Sequence, residues 1–164
     1  ARAAARSLQV PHETIAKALA VFEGVAGRLA LTRELDGIRF YNDTTATTPD
    51  ATLAALSALD PDGKRNIVLI MGGSDKGLDM NRLLIELPKR TKRVIMLAGT
   101  GTNRVLEFVP GASVFDSLTA ALHEAVQAAG QGDIVLLSPA FASFGMFTNE
   151  YDRGDQYDAL VRAL

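Results

Sequence analysis

The sequence predicts an α/β domain, doubly wound around a mostly parallel sheet with one antiparallel edge. Short apolar runs alternate with stripes of helical period, the pattern of βαβ units. Residues that start or stop helices stand between them, such as Thr48-Pro49 and Gly130. The length of 164 residues, 48% of them hydrophobic, fits one domain with one ordinary core.

Taken in order, the strands are expected at Ile38–Tyr41, Ile67–Met71, Val94–Ala98, Val114–Phe115 and Ile134–Leu137. Before the first, Arg28–Arg39 carries Leu29, Leu31 and Leu35 around an Asp36-Gly37 turn, which reads as a hairpin forming the antiparallel edge. Helical stripes run through Met80, Leu83, Leu84 and Leu87, then Leu118, Ala121, Leu122 and Ala125 with Val126 and Ala129. Tyr157, Leu160, Val161 and Leu164 form a last amphipathic helix. Residues 1–23 differ: an Ala-rich stretch precedes a helix after Pro11, with Ile15, Leu19 and Phe22 on one face. Gly24–Gly27 reads as a hinge, so the domain proper is expected over residues 24–164.

The charge balance of 17 basic and 19 acidic residues, net −2, argues against a nucleic-acid or anionic-membrane partner. Cysteine is absent, so no disulfide framework or thiolate metal site is expected. No apolar run approaches the roughly 20 residues that span a bilayer. The start at Ala1, with no apolar stretch behind it, reads as an internal cut through a longer protein rather than a secretory signal.

In an open parallel sheet, ligands bind beyond the carboxyl ends of the strands. The loops expected there are Asn42 to Pro49, Gly72 to Gly77, Gly99 to Asn103 and Ser138 to Ser143. They bring hydroxyls, small residues, Lys76 and Asp43 to one edge, and two of them run into helix N-termini, which favour anions. The same composition also suits any set of βα loops.

Sharper motifs fail. Gly72–Gly77 lacks the Lys that follows the second Gly in a phosphate-binding P-loop, and Arg104 replaces the third Gly of a dinucleotide fingerprint. Phe141–Gly145 has Phe where a nucleophile elbow needs Gly. His12 and His123 read as structural or solvated. Lys89, Arg90, Lys92 and Arg93 precede a strand and read as a solvated connection at the opposite edge. Arg153-Gly154-Asp155 spells an adhesion tripeptide, a reading of little weight.

Three loop segments carry a resemblance. Tyr41-Asn42-Asp43 through Thr47-Thr48-Pro49-Asp50-Ala51-Thr52-Leu53 resembles the first motif of Mur ligase carboxy-terminal domains. Leu69-Ile70-Met71-Gly72-Gly73-Ser74-Asp75-Lys76-Gly77 is similar to their second. Leu137-Ser138-Pro139-Ala140-Phe141-Ala142-Ser143 to Phe147, with Asn149 and Arg153-Gly154-Asp155, resembles their third. Their order and spacing match the branch that adds D-glutamate. The resemblance covers about residues 24–164, and the segment before it resembles the end of the family's central ATPase domain.

The resemblance implies a Rossmann-like fold and part of an ATP- and Mg2+-dependent amide ligase of the bacterial cytoplasm. By the same resemblance, that ligase is expected to add D-glutamate to UDP-N-acetylmuramoyl-L-alanine in peptidoglycan precursor synthesis, through an acyl phosphate. It implies that Lys76 pairs with a D-glutamate carboxylate, and that Ser143, Thr47 and Phe144 also contact the amino acid. Arg28, Asp43 and Asn42 would reach the nucleotide after closure onto the central domain. Without a P-loop or a precursor-binding domain, the chain holds no complete catalytic set and no metal site, and is expected to be inactive alone. Residues 1–23, cut from their partner, are expected to self-associate weakly.

Three positions depart from the family pattern. Thr45 stands where Lys is usual, Gly27 stands where His often precedes Arg28, and Glu150 replaces an aromatic, with Tyr151 next to it. The alternatives are a sister ligase that adds another amino acid, including the folylpolyglutamate type, and a non-enzymatic α/β module that binds a small anion or a protein.

Overall fold

The computed structural model describes residues 2–22 and 24–164. After α1 (Arg2–Ser7) and α2 (His12–Ala20), the chain runs β1 (Ala30–Leu35), β2 (Ile38–Asn42), α3 (Pro49–Leu59), β3 (Ile67–Gly72) and α4 (Asn81–Arg90). It continues through β4 (Thr91–Leu97), α5 (Thr100–Val105), β5 (Ser113–Phe115), α6 (Leu118–Ala128), β6 (Ile134–Leu137) and α7 (Glu150–Ala163). The six strands form one sheet in the order β1-β2-β6-β3-β4-β5. β1 runs antiparallel to β2, and the pairings of β2 with β6, β6 with β3, β3 with β4 and β4 with β5 are parallel.

The sequence explains this order. β3 and β6 are apolar at consecutive positions and buried throughout, as strands covered on both faces must be. Successive side chains alternate between faces. Ile67, Leu69 and Met71 pack with Leu53 and Leu56 of α3 and Leu83 and Leu87 of α4. Val68 and Ile70 pack on the other face with Leu118 and Leu122 of α6 and Tyr157 and Val161 of α7. Helices on both faces make the sheet doubly wound, as expected. The hairpin turn is Asp36-Gly37, at φ of 52° and 75°, the two left-handed residues that a tight right-twisted hairpin needs.

Three expectations need correction. β4 starts at Thr91, not Val94, so Lys92 and Arg93 lie within it. They are paired there rather than merely solvated: Lys92 with Asp133 at 2.5 Å, and Arg93 with Glu124 at 3.5 Å. The expected loop after β4 is mostly the short helix α5, which starts directly behind Gly99. The stripe of α2 is only partly open. Phe22 is exposed and Leu19 half-buried, but Ile15 is buried, and α1 contacts α2. Ile15 belongs to neither core layer. The proposed boundary falls at Glu23, which lies outside the described residues.

Candidate functional site

Strand order brings the four loops together. Because β6 lies between β2 and β3, its loop bridges theirs. Ala140 N–H donates to Ala46 O at 2.9 Å and Gly72 N–H to Pro139 O at 2.9 Å. Ser74 and Ala142 exchange both backbone hydrogen bonds, at 2.9 and 3.1 Å. Gly101 N–H then donates to Gly73 O at 2.9 Å and joins the loop after β4. This lacing permits no side chain at Gly73. Its φ is 134°, and a Cβ there would lie 2.3 Å from Ala142 O. Ala140 holds φ at 61° while buried, a local strain on the order of 1–3 kcal/mol that the surrounding contacts impose.

At one end of this edge, Asp43 is buried. Its carboxylate accepts from Leu29 N–H at 3.1 Å and from Ser138 Oγ at 2.8 Å. Burial pushes the Asp43 carboxyl above its ordinary pKa; the Ser138 and Leu29 hydrogen bonds and the charge of Arg28 pull the other way. Arg28 is exposed beside it. A groove of about 390 Å3 opens here, lined by Arg28, Leu29, Asp43 and five alanines of the first loop and α3.

In the middle, Lys76 Nζ donates to Thr47 Oγ1 at 3.1 Å. The ion pairs among the described residues do not include Lys76. The neighbouring Asp75 is occupied by Arg104 at 2.9 Å. Ser143 is buried by the fourth loop, and among the described residues its hydroxyl takes no hydrogen-bond partner. A charged donor without a counter-ion and a free hydroxyl, on loops laced together, suit a small carboxylate.

The remaining sequence candidates stand differently. Asn42 faces inward: its amide donates to Gly154 O at 3.0 Å and Asp158 Oδ1 at 2.9 Å, and its Oδ1 accepts from Thr44 N–H. Phe144 is exposed and lines a cavity of about 550 Å3 with Ser74, Gly99 and Thr100; neither Lys76 nor Thr47 lines it. Thr45 donates to Gly27 O through both N–H and hydroxyl, so two of the three departures from the family pattern touch each other. Among the described residues no cluster of acids and histidines could hold a metal ion.

Arg153 is fully buried, which rules out an adhesion tripeptide presented to solvent. Sequence reasoning quoted it as part of a motif and gave it no role. The signal was present: Arg153, Tyr157 and Val161 form one buried stripe at i, i+4, i+8.

The model of the Mur ligase carboxy-terminal family, described as the glutamate ligase domain, matches residues 27–141. The chain belongs to the Mur ligase family. A UDP-N-acetylmuramoylalanine–D-glutamate ligase of Roseiflexus sp. (strain RS-1) is 45% identical to this Mur ligase domain over 171 residues. The match covers 100% of the chain and 36% of that relative, so the chain spans little more than a third of its length. Among solved structures, the UDP-N-acetylmuramate-alanine ligase of Thermotoga maritima superposes with a TM-score of 0.68 at 16% identity, over 98% of this chain and 36% of that one. The MurF ligase of the same organism, in complex with ADP, gives 0.67 at 17% identity, over 99% and 37%. Both share the Mur ligase fold with this domain. No described helix is long and apolar enough to cross a membrane.

Proposed function

We propose that this domain presents D-glutamate in an ATP-dependent ligase of the bacterial cytoplasm, which joins it to UDP-N-acetylmuramoyl-L-alanine during peptidoglycan precursor synthesis. One observation carries the reading: Lys76 reaches across to Thr47 with no carboxylate paired to it, on an edge where the Ser143 hydroxyl is free. The 45% identity to a relative named for this reaction supports the choice of amino acid.

In this reading Lys76 holds a carboxylate of D-glutamate as a point charge, and Thr47 and Ser143 complete its hydrogen bonds. Phe144, next in sequence to Ser143 but exposed on a separate cavity, is given no contact to the amino acid in this reading. The groove at Arg28 and Asp43 fits one end of a nucleotide. The alanine wall accepts an apolar ring, Asp43 accepts from sugar hydroxyls, and Arg28 faces the phosphates. Asn42 acts from behind, by holding α7 to the first loop. Bound ATP supplies the phosphoryl group that activates the precursor carboxylate. Among the described residues no group of three or more acids and histidines could cage Mg2+, so this domain by itself offers the ion no closed site.

The test is phosphate release by a full-length ligase that carries this domain, with ATP and UDP-N-acetylmuramoyl-L-alanine. Release that requires D-glutamate supports the reading. Release with another amino acid, and not with D-glutamate, replaces it with a sister ligase.

A further inference from the structure

We propose that Arg153 is a positioning residue for the amino-acid site: it clamps the first loop to the fourth and so sets the spacing between Thr47 and Ser143. The proposal rests on the ligase reading above. The Arg153 guanidinium reaches both loops at once. Nε donates to Thr44 Oγ1 at 3.1 Å and Nη2 to Thr44 O at 2.8 Å, while Nη1 donates to Phe141 O at 3.4 Å. Thr44 leads into Thr47, and Phe141 into Ser143.

A purely stabilising residue at this position would be apolar. Arg153 continues the buried stripe of Tyr157 and Val161, where a hydrophobic side chain would bury at no electrostatic cost. Instead the site carries a cation with 0% exposure. Among the described residues it has no ion-paired carboxylate. Its contacts are carbonyl oxygens, one hydroxyl and the Phe147 ring, whose centroid lies 5.9 Å away, and the nearby charge of Glu150 favours its ionised form without pairing to it. Burial brings its pKa down to about 10, so it stays charged at neutral pH. Burying an ion without a counter-ion is costly, and here the gain is geometry. The planar fork fixes two acceptors of Thr44 together, which the point charge of Lys cannot do. The next residue fits the same purpose. A Cβ on Gly154 would lie 2.6 Å from Thr44 Cγ2, so α7 presses directly on the first loop.

Two measurements test this. In the full-length ligase, Arg153→Lys should raise KM for D-glutamate about tenfold or more, with a smaller change for ATP. Thr44→Val, which removes one acceptor of Arg153 and the hydroxyl's own bond to Glu150 O, should raise it less, and the double variant should show less than the product of the two effects. Independently of any activity, hydrogen exchange on this chain should quicken in Arg153→Lys at Ala46 and Ala142 together, with the β3 amides unchanged. If Arg153→Lys does not fold, Thr44→Val carries the exchange test. Unchanged exchange in both loops overturns the clamp, and so does loosened exchange with an unchanged KM for D-glutamate. If the unmodified enzyme does not use D-glutamate, the ligase reading fails, and exchange alone judges the clamp.

Discussion

Lys76 Nζ and Thr47 Oγ1 lie 3.1 Å apart, although they stand 29 positions apart in the chain with the whole of α3 and β3 between them. The strand order brings them together. β2 and β3 flank β6, and the β6 loop laces their loops to a common edge. The proposed amino-acid site is therefore a property of the sheet, and single loop substitutions should alter binding without unfolding the domain.

Lys76→Ala and Ser143→Ala should each weaken the use of D-glutamate more than the use of ATP in the full-length ligase. Loss of a hydrogen bond to a charged group costs roughly 1.5–3 kcal/mol, about tenfold or more in apparent affinity. Steady-state kinetics at varied D-glutamate checks this, and an unchanged dependence removes both residues from the role.

This chain alone should release no phosphate from ATP. It has no P-loop, and among the described residues nothing clusters to hold a metal. Phosphate release by the pure chain that disappears in Lys76→Ala would show a complete site where only part is expected.

Asp43 should leave a signature in stability against pH. Burial holds its folded-state pKa above the ordinary value. Between the unfolded and folded pKa the folded state binds more proton than the unfolded one, so stability falls as pH rises through that window. Asp43→Asn cannot ionise and escapes this loss. Melting temperatures of the two proteins should therefore diverge in favour of Asp43→Asn from acid pH toward neutrality, then run parallel. A gap that does not vary with pH would contradict the assignment.

The legible parts of the fold are those fixed by local chemistry. Asp36-Gly37 announces its hairpin, and the apolar runs of β3 and β6 announce buried strands, because each signal lies within a few residues. The start of β4 was hidden because Lys92 and Arg93 are strand residues whose charges are met by Asp133 and Glu124, far along the chain. The role of Arg153 was hidden for a related reason. A charge on an apolar stripe reads as the end of the stripe unless its acceptors are known, and Thr44 and Phe141 belong to other elements. The loop motifs pointed to one edge of the sheet, but only the strand order shows which loops touch.

The last prediction concerns residues 1–23, expected from the sequence to lack their native partner. α1 contacts α2, and Ile15 is buried, so part of the expected stripe is already covered. Leu8 at 78%, Val21 at 78% and Phe22 at 61% exposure remain. Covering each would contribute up to about 1.5–3 kcal/mol. Large apolar side chains left exposed along one short segment favour a surface that another protein surface covers. The expected outcome is weak self-association through this segment. Sedimentation of the chain should depend on concentration, and Val21→Ser with Phe22→Ser should abolish that dependence while the sheet stays folded. In dilute monomer, amides of α1 and α2 should exchange faster than those of β3 and β6, because the two short helices are joined to neither core layer. Exchange as slow as in the strands would make the segment an integral part of the domain and move its boundary towards the first residue.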